Sequence, residues 1–169
     1  MNNTIKTHTL ILGAGSAGCV LANRLSKDPS REVVLVEGGG EDRWHWIHIP
    51  VGYLYTMGNP KTDWCYHTTP QSGLNGRQLA YPRGKTLGGS SSINGMVYVR
   101  GHARDYDHWR DQGAEGWGYA DVLPYFKRLE SWDDGGHGGD PSWRGQHGPL
   151  HVGRGRMANP LTRAFVQAG

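Results

Sequence analysis

The chain has 169 residues, of which 27 are glycine, more than twice the usage of about 7% in average proteins. The glycines follow no G-X-Y period and form no Gly/Ser tract, which excludes collagen and a simple linker. A net charge of only +3 with 10% aromatic residues excludes a disordered polyelectrolyte.

No apolar run approaches the roughly 20 residues a membrane span requires. Before the first glycine the only apolar run is Leu10-Ile11-Leu12, shorter than the about 7–15 residues of a signal peptide. The chain therefore reads as cytoplasmic, with peripheral attachment to a membrane left open. Cys19 and Cys65 match no C-x-x-C pattern and read as reduced thiols. The basic residues form no block, so nucleic acid is not an expected partner.

In chain order, residues 8–12 turn apolar just before Gly13 and predict a short buried parallel strand. Ala17, Val20, Leu21 and Leu25 then recur at helical spacing, predicting a helix over residues 15–27 that Asp28-Pro29 stops. Val33-Val34-Leu35-Val36-Glu37 is a second buried strand, closed by three glycines. Strand, helix and strand within 40 residues predict a βαβ unit with parallel strands and a right-handed crossover. Residues 41–82, rich in Trp, Tyr, His, Pro and Gly without a period, predict extended and turn structure.

Residues 83–101 form a second Gly/Ser-rich block. Beyond it, helices are expected at 103–111, at about 120–130 with Pro124 in the first turn, and after Asn159-Pro160. Residues 131–148 read as a loop, followed by a short strand at Leu150-His151-Val152.

Gly13-Ala14-Gly15-Ser16-Ala17-Gly18 fits G-x-G-x-x-G between a strand and a helix. Gly13 permits the tight turn, Gly15 lets backbone approach a pyrophosphate, and Gly18 lets the helix pack close to the strand. The helix N-terminus offers free N–H groups and its positive dipole end to phosphate. Glu37, about 20 residues on, stands where a carboxylate accepts hydrogen bonds from ribose hydroxyls. The plain alternative is a tight turn beside an ordinary surface glutamate, but strand, helix, second strand and acid all agree. Dinucleotide binding follows; whether FAD or NAD, this unit does not decide.

The second block, Pro82 to Tyr98, places small residues and hydroxyls where backbone meets something flat or anionic. Gly84-Lys85-Thr86 is not a phosphate loop, because position 79 is Leu where that motif needs Gly. The run Gly84-Lys85-x-Leu87-Gly88-Gly89-Ser90-Ser91-x-Ile93-Asn94-x-x-x-Tyr98-x-x-Gly101, followed by Asp107, resembles the first signature of the glucose-methanol-choline (GMC) flavoprotein oxidoreductases. Weaker likeness runs through Thr62-Asp63-Trp64-Cys65-Tyr66, Leu123-Pro124-Tyr125-Phe126 and Gly148-Pro149-Leu150. The branch most resembled is that of bacterial choline and alcohol dehydrogenases.

That resemblance implies FAD rather than NAD, with Ser16, Ala17 and Glu37 at the pyrophosphate and adenosine ribose. It places Gly88, Ser90, Asn94, Gly95, Met96 and Val97 along the flavin and its diphosphate, where backbone N–H groups stabilise charge on the reduced ring. Some members attach flavin to a His within Ser-Ser-x-Asn; Ile93 stands there in this chain, implying non-covalent FAD. The implied reaction is oxidation of a small alcohol to an aldehyde by hydride transfer to flavin, with an electron acceptor these residues do not specify.

The fold class expected is α/β: a Rossmann-like βαβ unit (1–40), an irregular extension acting as a lid (41–82), a flavin-contacting block (83–101) and a helical and loop extension (102–169). Only two parallel strands of core quality are seen, where a mononucleotide-binding half needs three. In the GMC family the other strands, the substrate domain and the catalytic His come from sequence farther downstream. An incomplete domain is therefore expected, a fragment or truncated product that supplies FAD-binding residues and no catalytic residue. Two rival readings are a non-catalytic or partner-binding product and an NAD(P)-dependent dehydrogenase.

Nine histidines raise the question of metal, but His45/His48, His102/His108 and His147/His151 lack a third ligand at suitable spacing, so no metal site is expected. Asp133-Asp134-Gly135-Gly136 lacks the alternating ligands of a calcium loop. His137 reads as a surface residue, Cys19 as helix packing, and Trp44, Trp46, Trp64, Tyr53 and Tyr55 as packing of an irregular segment.

Overall fold

In the computed structural model, which describes residues 4–133, 139–155 and 159–169, the chain divides into two compact units, Met1–Val97 and Tyr98–Gly169. The first begins with β1 (Thr9–Leu12), α1 (Ser16–Leu25) and β2 (Val33–Val36). The two strands pair in parallel, Thr9 opposite Val33 and Leu12 opposite Val36. Alternation puts Ile11 in the core and leaves Leu10 and Leu12 on the exposed side.

Gly13 turns the chain with φ +94°, and its N–H bonds the Val36 carbonyl at 2.7 Å. A side chain at Gly18 would bring its Cβ within 1.9 Å of the Gly13 oxygen, so glycine here sets how closely α1 lies on the turn. The helix ends at Leu25, before Asp28-Pro29; the Asp28 carboxylate then accepts from both the amide and the hydroxyl of Ser30, closing a turn.

Residues 41–82 fold into short pieces: 3-10 turns at His45–Ile47, Pro50–Gly52 and Ser72–Leu74, a single helical turn α2 (Tyr53–Thr56), and a hairpin of β3 (Tyr66–His67) with β4 (Ala80–Tyr81). Trp46 stacks on Tyr55 at 4.2 Å between centroids, but Tyr55 and Trp64 remain 52% and 41% exposed. After the hairpin, Leu87 N–H and the Thr86 hydroxyl both bond the Gly40 carbonyl, and a 3-10 turn follows at Gly89–Ser92. Ile93, at the position of the flavin-linking His of some GMC members, is buried in the core of this unit.

The second unit holds α3 (Ala103–Asp111), α4 (Tyr119–Leu129), β5 (Glu130–Asp133), β6 (Leu150–Gly153) and α5 (Pro160–Ala168). His102 Nδ1 accepts from the Arg104 amide and Asp105 reaches back to the His102 amide, a reciprocal cap on α3. Asn159 caps α5 through the Leu161 amide. Because α4 starts at Tyr119, Pro124 lies inside the helix rather than in its first turn, where its missing N–H leaves the Ala120 carbonyl without that bond.

β5 also departs from expectation: residues 131–133, read as loop, pair in parallel with β6. The cause is Glu130, fully buried, whose carboxylate accepts from Arg100 Nη2 at 2.8 Å, Arg144 Nη1 at 3.1 Å and Gly145 N at 3.1 Å. Burial opposes its ionisation most, but the Gly145 amide and the two guanidiniums prevail and hold the carboxyl below the usual range.

Candidate functional site

The site is built at the C-terminal ends of β1 and β2. Gly15 is the N-cap of α1 in ordinary extended backbone and offers no side-chain cap, so the helix keeps free N–H groups in its first turn. Glu37, at the end of β2, accepts the Ala14 amide at 2.7 Å with Oε2 and the Gly39 amide at 2.9 Å with Oε1. It thus fastens the G-x-G turn to the second strand. Each carboxylate oxygen has room for a second donor.

The Gly/Ser block is clasped onto this turn. Gly88 N–H bonds the Ala14 carbonyl at 2.8 Å, and the Ser16 and Ser91 hydroxyls bond each other. Gly89, at φ +56°, could not carry a Cβ, which would fall 2.8 Å from Gly15 Cα. Gly84 is equally constrained, its Cβ position lying 2.1 Å from the Gly89 oxygen. A Cβ on Gly15 would meet only Gly89 Cα at 4.0 Å, an ordinary contact. Packing within the chain explains Gly18, Gly84 and Gly89, and it does not explain Gly15.

The expected residues are therefore gathered unevenly. Gly13, Gly15, Ser16, Ala17, Gly18, Glu37 and Gly88 converge on one turn. Ser90, an exposed residue, accepts the Gly84 amide with its hydroxyl at 3.1 Å. Asn94 Oδ1 accepts the Met96 amide at 2.8 Å, closing a turn in which Met96 sits at φ +59°. Gly95 is exposed, as are Met96 at 56% and Val97 at 84%. Cys19, read as packing, is exposed and donates to the Ala14 carbonyl.

Two residues that the motifs contain but give no task also stand at this turn. Ser91, hidden in a run of three serines, is the partner of Ser16. Trp64 lies with its ring 3.3 Å from the Cβ position of Gly38, next to Glu37, and carries Lys85 Nζ 4.8 Å from its centroid. Beneath them Asp63, 2% exposed, accepts amides of Gly58 at 2.7 Å and of Cys65 and Arg83 at 2.9 Å each. Burial works against its charge, yet these amides and the nearby Arg83 hold its carboxyl below the ordinary value.

Among the described residues no three His, Cys, Asp or Glu side chains gather as a metal site. His102 caps α3, and His108 Nε2 bonds Gln112 Nε2 at 2.8 Å. Residues 134–136 of the acidic loop and His137 lie outside the described residues. Among the described residues, no helix is long and apolar enough to cross a membrane.

A βαβ turn with a bare helix N-terminus and a fixed carboxylate defines a dinucleotide-binding α/β protein. The family model described as GMC oxidoreductase matches residues 7–169, and the chain belongs to that family, whose cofactor is FAD. It is 52% identical over 160 residues to an oxygen-dependent choline dehydrogenase of Rhizobium etli, and 53% identical to one of Sinorhizobium fredii, covering 95% of this chain and 28% of each relative. Among solved structures it resembles pyridoxine 4-oxidase from Mesorbium loti, with a TM-score of 0.84 and 38% identity over 96% of this chain and 31% of that one. Formate oxidase follows at a TM-score of 0.83 and 28% identity, over 96% and 30% of the two chains. The chain thus spans less than a third of the length of these relatives.

Proposed function

We propose that this chain supplies the FAD-binding part of an enzyme that oxidises a small alcohol to an aldehyde. FAD, when bound, supplies the acceptor for hydride leaving the alcohol carbon. The free amides at the start of α1, with Gly15, would hold the pyrophosphate, and Glu37 with its spare lone pairs the adenosine ribose. Trp64, on Gly38 beside Glu37, extends this end of the site as a flat apolar wall. Gly88, Asn94, Gly95, Met96 and Val97 would face the flavin half with exposed backbone and side chains, and Ser90 would shape that segment from behind. The cofactor is held without a covalent bond, because the position that could link it is Ile93, which is buried. A quaternary-ammonium alcohol of the choline type is the substrate class favoured by the relatives at 52% identity. A cytoplasmic setting agrees with two unpaired cysteines.

One observation carries this reading: Gly15 is a glycine that neither its backbone conformation nor its neighbours require, at the spot where a pyrophosphate would need room. In the whole protein, Gly15→Ala should fold, losing only the about 1 kcal/mol that alanine costs at an N-cap, and weaken FAD binding by about tenfold or more, measured by flavin fluorescence titration. Wild-type FAD affinity in this variant would sink the placement. A wild-type protein that binds NAD(P) and shows no flavin absorption would sink the cofactor.

A further inference from the structure

Asp63 is a buried carboxylate that the cofactor-binding reading leaves without a task. Its three partners are all main-chain amides, drawn from three separate stretches: Gly58 before it, Cys65 after it, and Arg83 at the entry to the Gly/Ser block. The Arg83 guanidinium is turned elsewhere, over the Tyr81 ring at 3.8 Å. A charged group with amide donors alone works as a template for backbone, since the donors' positions are the backbone's positions.

Two consequences follow from what those amides belong to. Cys65 stands at φ +54°, a left-handed conformation unfavourable for a non-glycine residue, and its amide is held there by the bond to Asp63. That conformation sets the direction of the chain around Trp64, whose ring lies against Gly38. The Arg83 amide is bracketed by Trp64 N–H to the Arg83 carbonyl at 2.9 Å and Lys85 N–H to the Thr62 carbonyl at 2.8 Å. From there the chain runs through Gly84, packed against Gly89, into Gly88 and Gly89, the residues clasped onto the turn at Gly15.

We propose that Asp63 is the positioning residue of the cofactor site. Its carboxylate fixes, through the amides of Gly58, Cys65 and Arg83, where Trp64 and residues 84–92 stand beside Glu37 and the start of α1. It touches no cofactor itself. The inference rests on the FAD reading above. Coupling of this kind is reciprocal: whatever the carboxylate adds to FAD affinity, bound FAD returns as protection of the same three amides.

The test compares Asp63→Asn with Thr62→Val in the whole protein. Asparagine keeps the shape but loses the charge and puts an N–H₂ donor in place of one of the two oxygens on which three amide donors converge. Thr62→Val removes a neighbouring buried hydrogen bond, from the Thr62 hydroxyl to the Thr56 carbonyl at 2.8 Å, without touching the template. Both variants should melt earlier than wild type. Asp63→Asn alone should raise the FAD dissociation constant by about tenfold and alter the visible spectrum of the bound flavin, with Thr62→Val within about twofold of wild type. Unchanged affinity and spectrum in Asp63→Asn, or an equal loss in Thr62→Val, overturns the proposal.

Should Asp63→Asn fail to fold, wild-type protein decides by hydrogen exchange. FAD loading should slow exchange in peptides carrying the Gly58, Cys65 and Arg83 amides, and unchanged exchange there overturns the proposal as surely. Wild-type protein that takes up no FAD defeats the FAD reading first, before any variant is compared.

Discussion

Glu37 and Glu130 both tie loops to the end of a strand, and they do it with opposite chemistry. Glu37 is held by two backbone amides, is only half-buried, and keeps unused lone pairs on an open side. Glu130 is sealed from water and shared between two guanidiniums and an amide. The helices repeat the contrast: α1 begins without a side-chain cap, while α3 and α5 are capped by His102 and Asn159. The difference teaches where each unit keeps unspent hydrogen-bonding capacity. At the ends of β1 and β2 the start of α1 and the Glu37 carboxylate keep hydrogen-bonding capacity, whereas the Glu130 carboxylate has its partners Arg100, Arg144 and Gly145 within its own unit.

The largest test of that contrast is Glu130→Ala. It strands Arg100, whose side chain is 12% exposed, and the part-solvated Arg144, and should cost about 3 kcal/mol in denaturant unfolding, the low end for a broken buried pair. The pH dependence has a definite sign. Asp63 and Glu130 both titrate below their ordinary range when folded, so their contribution is present above the unfolded value near pH 4 and is lost as pH falls through the folded value. Glu130→Ala should flatten the acid limb of a stability–pH curve; a limb as steep as that of wild type would place the acid sensitivity elsewhere.

Next in size is Gly18→Ala, whose Cβ would overlap the Gly13 oxygen and should cost about 1–3 kcal/mol by overpacking. Gly40→Ala, with nothing within 4 Å of its Cβ position, should stay within about 0.5 kcal/mol and serves as its control. A similar melting temperature for the two would break the claim that α1 is seated by glycine. Smallest is the cap: His102→Ala should cost about 1 kcal/mol and His102→Asn much less, read from urea midpoints.

What could be read from sequence was what repeats or what a motif fixes. β1, α1 and β2 were legible because apolar runs and helical spacing are local, and Asn159-Pro160 announced α5 by capping chemistry. The clasp between residues 14–16 and 88–91 was legible only as two separate glycine-rich blocks. Their hydrogen bonds join residues distant in the chain, and no period encodes them. β5 was missed because Glu-Ser-Trp-Asp shows no apolar alternation; its strand exists because a buried carboxylate recruits Arg100 and Arg144. Asp63 left a faint trace, an acidic residue in an aromatic stretch, since a template for amides needs nothing particular in the residues it holds. Of the candidate site, the G-x-G-x-x-G spacing and the acid after the second strand point to the turn at Gly13–Gly18 and to Glu37, which the fold brings together, whereas Trp64 and Ser91 join that neighbourhood only through long-range contacts.

The approach of Gly89 to Gly15 has a meaning for how this sequence can drift. Although far apart in the chain, the two positions share one small volume, and it is residue 89 that depends on residue 15: a Cβ at 89 falls 2.8 Å from Gly15 Cα, whereas a Cβ at 15 meets Gly89 Cα only at 4.0 Å. A lineage that enlarges residue 89 must first move residue 15, and with it the bare start of α1. Either glycine alone looks replaceable on one count, Gly15 by its contacts and Gly89 by its distance from the G-x-G motif. The coupling runs one way, and in this family a larger residue 89 should come only with a rebuilt loop, while a small side chain at residue 15 leaves residue 89 untouched.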